Sequence, residues 1–197
     1  MIFLESIKDI CQAIKNDPAN RKYTEKGIDP LFHVTPNARI LIVSQAPSRR
    51  AQVKKTYWDD LSGDRLRKWM GITRQQFYDS GKIAVMNLDF YYPGKGKSGD
   101  LPPRKGFAKK WHPLLLQKMP HLKITLLVGS YAQKYYLGDK CFKTLSETVQ
   151  NHSKYLPNYF PLVHPSPLNY GWIKHHPWYM EETIPELREI IGQIFSE

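Results

Sequence analysis

The chain has 197 residues, 41% of them hydrophobic and 13% aromatic, which predicts one globular domain over residues 1–197 and excludes a disordered chain. Its formal net charge is +11, which favours a polyanionic partner such as nucleic acid, although a solubility charge without a partner is the alternative. No apolar run approaches membrane-spanning length, and residues 1–5 lack a secretory pattern, so we expect a cytoplasmic, nucleoid-associated protein that does not bind membranes.

Hydrophobic periodicity predicts helices and strands that alternate along the chain. In order, the pattern predicts a helix at 5–15, a strand at 39–44, a loop at 49–61, helices at 63–70 and 74–79, a strand at 82–88, a helix at 106–118, a strand at 124–128, helices at 131–137 and 144–150, a strand at 160–163 and a helix at 179–195. Thr73 and Gln76 predict a capping box. The alternation predicts a three-layer α/β/α sandwich with a central, mainly parallel four-stranded sheet.

Basic and aromatic residues are interleaved between the second and third strands. The basic residues there are Lys95, Lys97, Arg104, Lys105, Lys109, Lys110 and Lys118, the aromatic ones are Phe90, Tyr91, Tyr92, Phe107 and Trp111, and the acidic ones are Asp89 and Asp100. A mixed positive and aromatic surface is typical of a nucleic-acid groove.

The sequence shows no pattern for a metal or a cofactor. Cys11 and Cys141 form no CxxC pair, and neither a Walker A sequence nor a GxGxxG occurs. The adjacent His175 and His176 have no acidic cluster beside them, and we interpret them as surface or phosphate-facing residues. We therefore expect no metal and no cofactor.

Four polar segments follow predicted strands, at 44–48, 87–92, 129–131 and 164–169. Two of them are stiffened by proline, namely Ser44-Gln45-Ala46-Pro47-Ser48 and His164-Pro165-Ser166-Pro167-Leu168-Asn169. Because the carboxyl ends of parallel strands meet at one edge of a sheet, where α/β proteins bind ligands, these segments predict one site.

These two segments resemble, in order, the two signature motifs of the uracil-DNA glycosylase superfamily. Between them, Met86-Asn87-Leu88 resembles the strand end whose asparagine reads the base, and 126–132 resembles the strand–glycine–helix unit of the same fold. The resemblance runs from about residue 39 to the C-terminal helix, and the motif layout is closest to the iron–sulfur type. It implies a monofunctional DNA glycosylase, acting as a monomer, that hydrolyses the N-glycosidic bond of uracil or a related deaminated base flipped out of DNA.

The resemblance also implies roles in base recognition and catalysis. His164 would stabilise the negative charge that develops on uracil O2, Asn87 would match O4 and N3–H, and Trp58 would stack on the base. Gln45 and Ala46 would contribute backbone contacts. The alternatives are a histidine that closes a strand end, an asparagine that satisfies backbone groups, and a core tryptophan.

Further residues would bind DNA in the resembling family. Loops containing Ser48, Arg104, Lys105 and Ser166 would contact phosphates, and Pro165 would fix the loop of Ser166. Leu168 would wedge into the gap left by the flipped nucleotide. Asn169, beside it, is interpreted as a turn residue in this DNA-contacting loop.

The chain departs from the family pattern at the catalytic acid. Ala46 stands where one branch has Asp, Gln45 stands where the iron–sulfur branch has Glu, and the four cluster cysteines of that branch are absent. Asp60 is our candidate for orienting water, with capping of the helix near Ser62 as the alternative. Ser48 replaces a tyrosine that excludes thymine in one branch, so base specificity stays open.

Two other functions are consistent with these observations. The first is a catalytically weak or inactive relative that binds damaged or single-stranded DNA. The second is a small-molecule enzyme on the same scaffold, against which the basic charge argues.

Overall fold

A four-stranded parallel sheet forms the centre of the protein, in a computed structural model that describes residues 6–97 and 99–197. The strands are β1 (Ile40–Val43), β2 (Ile83–Val85), β3 (Ile124–Val128) and β4 (Tyr159–Leu162). Their spatial order is β2-β1-β3-β4 and every neighbouring pair is parallel, which confirms the predicted sheet. The register places Ile42 beside Val85 on one side and Leu126 on the other.

Helices cover both faces of this sheet. The α-helices are α1 (Ile7–Asn16), α2 (Arg21–Thr24), α3 (Arg49–Lys54), α4 (Leu61–Met70), α5 (Arg74–Asp79), α6 (Phe107–Leu116), α7 (Ser130–Leu137), α8 (Leu145–Gln150), α9 (Tyr170–His175) and α10 (Ile184–Ser196). Short 3-10 turns lie at Pro18–Asn20, Gly138–Lys140, His152–Tyr155 and Pro167–Asn169, and a π-helical turn at Tyr179–Thr183 precedes α10.

Successive strand residues point into two separate cores. Leu41 and Val43 of β1 pack with the buried faces of α1, α6 and α7, whereas Ile40 and Ile42 pack with those of α4, α5 and α10. Every residue of β1, β2 and β3 is buried, as expected of strands covered on both faces. The predicted three-layer α/β/α sandwich is thereby confirmed.

The structure differs from the predicted elements in several places. The predicted loop at 49–61 contains α3, which Ser48 caps by accepting a hydrogen bond from the Ala51 N–H at 3.1 Å. Helix α9, at Tyr170–His175, was not predicted, because its short sequence has no apolar stripe. The predicted first helix begins at Glu5, which lies outside the described residues.

The predicted capping box at the start of α5 is confirmed. Gln76 N–H donates to the Thr73 hydroxyl at 3.1 Å, and Thr73 N–H donates to the Gln76 side chain at 2.8 Å. Within residues 6–97 and 99–197, no helix combines the length and the apolar character needed to cross a membrane.

Candidate active site

Backbone pairing continues past the strand ends and brings together the polar segments that follow β1 and β2. Leu88 N–H donates to the Ser44 carbonyl at 2.9 Å, and Asp89 N–H donates to the Gln45 carbonyl at 3.2 Å. The segment after β1 is therefore fixed beside the segment after β2, as the parallel register requires.

The segment after β4 is fixed in the same way through β3. Gly129 N–H donates to the Leu162 carbonyl at 2.9 Å. Gly129 has φ of +87°, a region that favours glycine, and a Cβ placed there would lie 3.7 Å from the Cβ of His164. The turn between β3 and α7 thus passes close beside His164.

These segments enclose a cavity of about 390 Å³ at the carboxyl edge of the sheet. Nine residues predicted from the sequence line it: Gln45, Ala46, Ser48, Trp58, Asp60, Asn87, His164, Ser166 and Leu168. The lining also includes Ser44, Leu31, Tyr57 and Lys95, to which no individual role was assigned from the sequence. The convergence of distant turns on one pocket follows from the strand order.

His164 is a neutral hydrogen-bond donor in this pocket. Its Nδ1 accepts a hydrogen bond from the Ser166 N–H at 3.2 Å, which places the ring proton on Nε2. Burial lowers the pKa of His164 below the ordinary 6.5, although the carboxylate of Asp60 acts in the opposite direction. Asn169 donates to the His164 carbonyl at 2.8 Å, so it holds the turn, as interpreted from the sequence.

Asn87 is 5% exposed and held from two sides. Its Oδ1 accepts a hydrogen bond from the Ser44 hydroxyl at 2.6 Å. Its main-chain carbonyl accepts one from His112 Nε2 at 2.9 Å, and His112 Nδ1 accepts one from the Tyr136 hydroxyl at 2.8 Å. Burial lowers the pKa of His112 to about 4, so the imidazole that links Tyr136 to Asn87 is neutral at neutral pH.

The amide nitrogen of Asn87 can bind a ligand. Among the described residues, no protein acceptor receives a hydrogen bond from Asn87 Nδ2, and the residue lines the cavity. Because the side chain and the main chain of Asn87 are both fixed by hydrogen bonds, its Nδ2–H groups are positioned to donate to an acceptor atom of a ligand.

Trp58 adopts a left-handed backbone conformation, with φ of +53°, which is rare for a bulky residue. The Arg67 guanidinium donates to the Trp58 carbonyl at 2.9 Å from a side chain that is almost fully buried. Gly63 makes room for this carbonyl, because a Cβ at that position would lie 1.8 Å from the carbonyl oxygen. Backbone strain held by surrounding contacts is often found at functional sites.

Asp60 is both a helix cap and a pocket residue. Its Oδ1 accepts a hydrogen bond from the Gly63 N–H at 2.9 Å, so the capping alternative is present in the structure. Asp60 also lines the cavity. Within the described part of the chain, Oδ2 accepts no protein hydrogen bond, which leaves this oxygen for a water or a ligand.

The turn at 164–169 is braced against α4 and carries an exposed leucine. Ser166 caps the 3-10 turn by accepting a hydrogen bond from the Leu168 N–H at 3.2 Å. Arg65 donates to the Ser166 carbonyl at 3.1 Å, and its guanidinium lies 3.8 Å from the ring centroid of Tyr170. Leu168 is 93% exposed beside the pocket.

The Arg104 guanidinium is directed into the protein, whereas the predicted binding of DNA phosphates requires it to face solvent. Its guanidinium forms two hydrogen bonds with the fully buried carboxylate of Asp89, at 2.6 and 2.8 Å, and a third with Asn20 Oδ1 at 2.7 Å. Arg104 therefore forms a structural ion pair with Asp89. Its predicted role in binding DNA phosphates is corrected to a role in stabilising the fold. Lys105 is exposed and Pro165 is buried; both lie outside the cavity lining.

The Gln45 side chain also has a structural partner. Its Nε2 donates to the Leu101 carbonyl at 2.7 Å, which ties the end of β1 to the loop that carries Lys95. Gln45 and Ala46 can still offer the backbone contacts that were predicted.

Comparisons with known proteins match the chain to a sequence family and to solved structures. The sequence model of the Uracil DNA glycosylase superfamily matches residues 32–188, a range that contains every cavity-lining residue except Leu31. The chain is also similar to a solved NMR structure from Methanosarcina acetivorans, named as a candidate uracil DNA glycosylase. That similarity has 16% identity and a TM-score of 0.47, and it covers 80% of this chain and 93% of the other.

Proposed function

The chain belongs to the uracil-DNA glycosylase superfamily, and we propose that it is a monofunctional DNA glycosylase that removes uracil or a related deaminated base flipped out of DNA. The observation that carries this proposal is the convergence of Trp58, Asn87 and His164 on one cavity of about 390 Å³. These side chains supply an aromatic face, an amide and a neutral imidazole, which are the groups that recognition and departure of such a base require.

The flipped base would stack on Trp58 and present its polar edge to Asn87. Asn87 Nδ2 would donate to O4 of uracil, and Oδ1 would accept from N3–H through the lone pair that the Ser44 hydroxyl does not occupy. Extrusion of a nucleotide costs a few kcal/mol of stacking, which contact with an indole and burial of the base offset.

His164 would act on the leaving group. As the bond between C1′ and N1 breaks, its electron pair departs with the base and the negative charge spreads to O2. The neutral Nε2–H donates to that oxygen, and this hydrogen bond strengthens as the charge grows. Because Ser166 N–H occupies Nδ1, the donor is oriented before the substrate arrives.

Water would complete the hydrolysis. Its oxygen attacks C1′ of the oxocarbenium-like sugar, and one of its protons passes to the Asp60 carboxylate through Oδ2, which the helix cap leaves free. Among the described residues, Lys95 is the one lysine in the pocket lining, and its side chain is 73% exposed. We therefore assign hydrolysis and not strand cleavage through a Schiff base.

Binding to DNA would rest on charge and on Leu168. The net charge of +11 favours association with phosphates. The exposed Leu168, held in place through the Arg65 brace of its turn, would enter the gap that the flipped nucleotide leaves in the duplex.

One observation favours a second function, namely a relative that binds DNA without cleaving it. The pocket contains Ala46 at the position of the motif-one acid. The carboxylates in its lining are Asp60 and Asp100, and Asp100 is paired with Lys95 at 3.7 Å, so Asp60 is our candidate for orienting water. Rate enhancement in this reaction class comes largely from electrostatic stabilisation of the leaving group, so the pocket can be active without that acid.

A labelled duplex with one uracil distinguishes these functions. Treatment with the protein and then with hot alkali should cut the strand at the uracil if the base has been removed. DNA binding that falls steeply with salt but gives no cleavage would support the non-catalytic relative. Binding that does not depend on salt would favour a small-molecule enzyme.

A further inference from the structure

Ser44 occupies a position that lets it control what Asn87 offers to a base. It follows β1 directly, is 4% exposed and lines the cavity beside Asn87. The backbone pairing between the two segments fixes their separation, so the 2.6 Å contact between the Ser44 hydroxyl and Asn87 Oδ1 is built into the sheet.

This contact decides which of its two possible orientations, related by half a turn, the Asn87 amide adopts. With Oδ1 toward Ser44, the serine hydroxyl has an acceptor and Nδ2 is left for a ligand. If the amide rotated by half a turn, Nδ2 would donate to the Ser44 oxygen. The serine proton would then lack a protein acceptor, since Asn87 is its one hydrogen-bond partner among the described residues. A buried hydroxyl without an acceptor is costly, so the first orientation is preferred.

We propose that Ser44 is a specificity-determining residue that fixes the Asn87 amide with its donor toward the base. The inference rests on the proposed function, because it requires Asn87 to contact a flipped base. It also names the substrate class. A base with a carbonyl at that position, such as uracil or hypoxanthine, accepts from Nδ2, whereas the exocyclic amino group of cytosine or adenine places a donor against a donor.

The test measures base preference without requiring cleavage. Two oligonucleotides of one sequence carry 2′-deoxy-2′-fluorouridine or the matching 2′-fluorinated cytidine, whose glycosidic bonds resist hydrolysis because fluorine destabilises an oxocarbenium ion. The ratio of their dissociation constants is compared for the unaltered protein, Ser44→Ala, Ser44→Gly and Ser44→Thr. Thr125→Val is the matched control, since it removes another buried hydroxyl, in β3, away from the cavity lining.

We expect the unaltered protein to prefer the uridine, and Ser44→Ala and Ser44→Gly to lose about tenfold of that preference, the size of effect that one buried hydrogen bond controls. Ser44→Thr keeps the hydroxyl and should keep the preference, as should Thr125→Val. Melting temperatures identify the variants that fold. If Ser44→Ala does not fold, Ser44→Gly is used to test the proposal.

The two possible failures can be told apart. If folded Ser44→Ala and Ser44→Gly keep the full preference while the unaltered protein removes uracil from DNA, the role of Ser44 is wrong and the proposed function stands. If the unaltered protein neither prefers the uridine nor removes uracil, the proposed function is wrong, and the role of Ser44 falls with it.

Discussion

The indole of Trp58 and the imidazole of His164 lie with their ring centroids 5.6 Å apart and their planes inclined by 32°. One residue precedes α4 and the other follows β4, so more than a hundred positions of sequence separate them. In the proposed function, this proximity would let one nucleobase stack on the indole while an atom at its edge reaches the imidazole. The position of Trp58 is therefore as important to the proposed chemistry as that of His164.

Gly63→Ala should impair base binding through Trp58. The added Cβ would lie 1.8 Å from the Trp58 carbonyl, which must then move and give up its hydrogen bond with Arg67. We expect about tenfold weaker binding of an oligonucleotide with an uncleavable uridine analogue, as for the loss of a stacking contact. Gly192→Ala is the matched control, because it also lies in a helix but meets no atom within 4 Å.

An unchanged affinity in folded Gly63→Ala would contradict the positioning role assigned to this glycine. Gly192→Ala should bind normally and gain up to about 1 kcal/mol of stability from its higher helix propensity.

The pH dependence of base removal should report the neutral state of His164. Burial lowers its pKa below 6.5, so the imidazole stays an uncharged Nε2–H donor across neutral pH. The single-turnover rate should be constant from pH 8 to about 6.5, where an ordinary histidine is half-protonated, and should decline only at lower pH. In the control variant His164→Gln, which has no imidazole at this position, any fall in rate at low pH should come from other titratable groups. A rate that rises as the pH falls from 8 to 6 would show that an imidazolium is required.

Arg104→Ala should destabilise the fold and not merely weaken DNA binding. It leaves the fully buried carboxylate of Asp89 without its cation, a change that typically costs about 3–5 kcal/mol. Denaturant unfolding measures this loss. Lys105→Ala, the exposed neighbour, should stay within about 0.5 kcal/mol of the unaltered protein. Equal stabilities for the two variants would contradict the structural role of Arg104.

His112 should make folding stability depend on pH. Its pKa in the folded protein is about 4 against 6.5 for the free side chain, so the unfolded chain binds the additional proton first as the pH falls. The contribution of the neutral His112 to the free energy of unfolding is fully present above pH 6.5. It is lost progressively as the pH falls toward 4, by about 3 kcal/mol in total. In His112→Gln, the free energy of unfolding should fall less over this range. Identical pH dependence in both proteins would contradict a buried neutral His112.

Much of the fold and the pocket could be predicted because both depend on local sequence patterns, namely apolar runs and the polar segments that follow them. Strand β3 was predicted at its observed bounds, since a buried parallel strand is a continuous apolar run. The pocket followed from the rule that parallel strands end at one edge, which brought Asn87 and His164 together despite their separation in sequence.

The remaining features depend on contacts that leave no local pattern. His112 reaches Asn87 from another element, 25 positions away, and nothing in its helix distinguishes it from a core histidine. Arg104 belongs to a run of surface-like cations, and its burial against Asp89 arises from tertiary packing. The left-handed conformation of Trp58 depends on Arg67 and Gly63, so composition could not reveal it.

The most direct test of the central claim is release of uracil from DNA by the unaltered protein and by His164→Ala. A labelled duplex with one uracil is incubated under single-turnover conditions, then heated in alkali and resolved by length. His121→Ala, which changes an exposed histidine, is the control. We predict site-specific cleavage that His164→Ala slows by about 10²–10³-fold, as for the loss of one donor to a developing anion, while His121→Ala cleaves normally. Absence of cleavage by the unaltered protein, or undiminished cleavage by His164→Ala, would contradict the account.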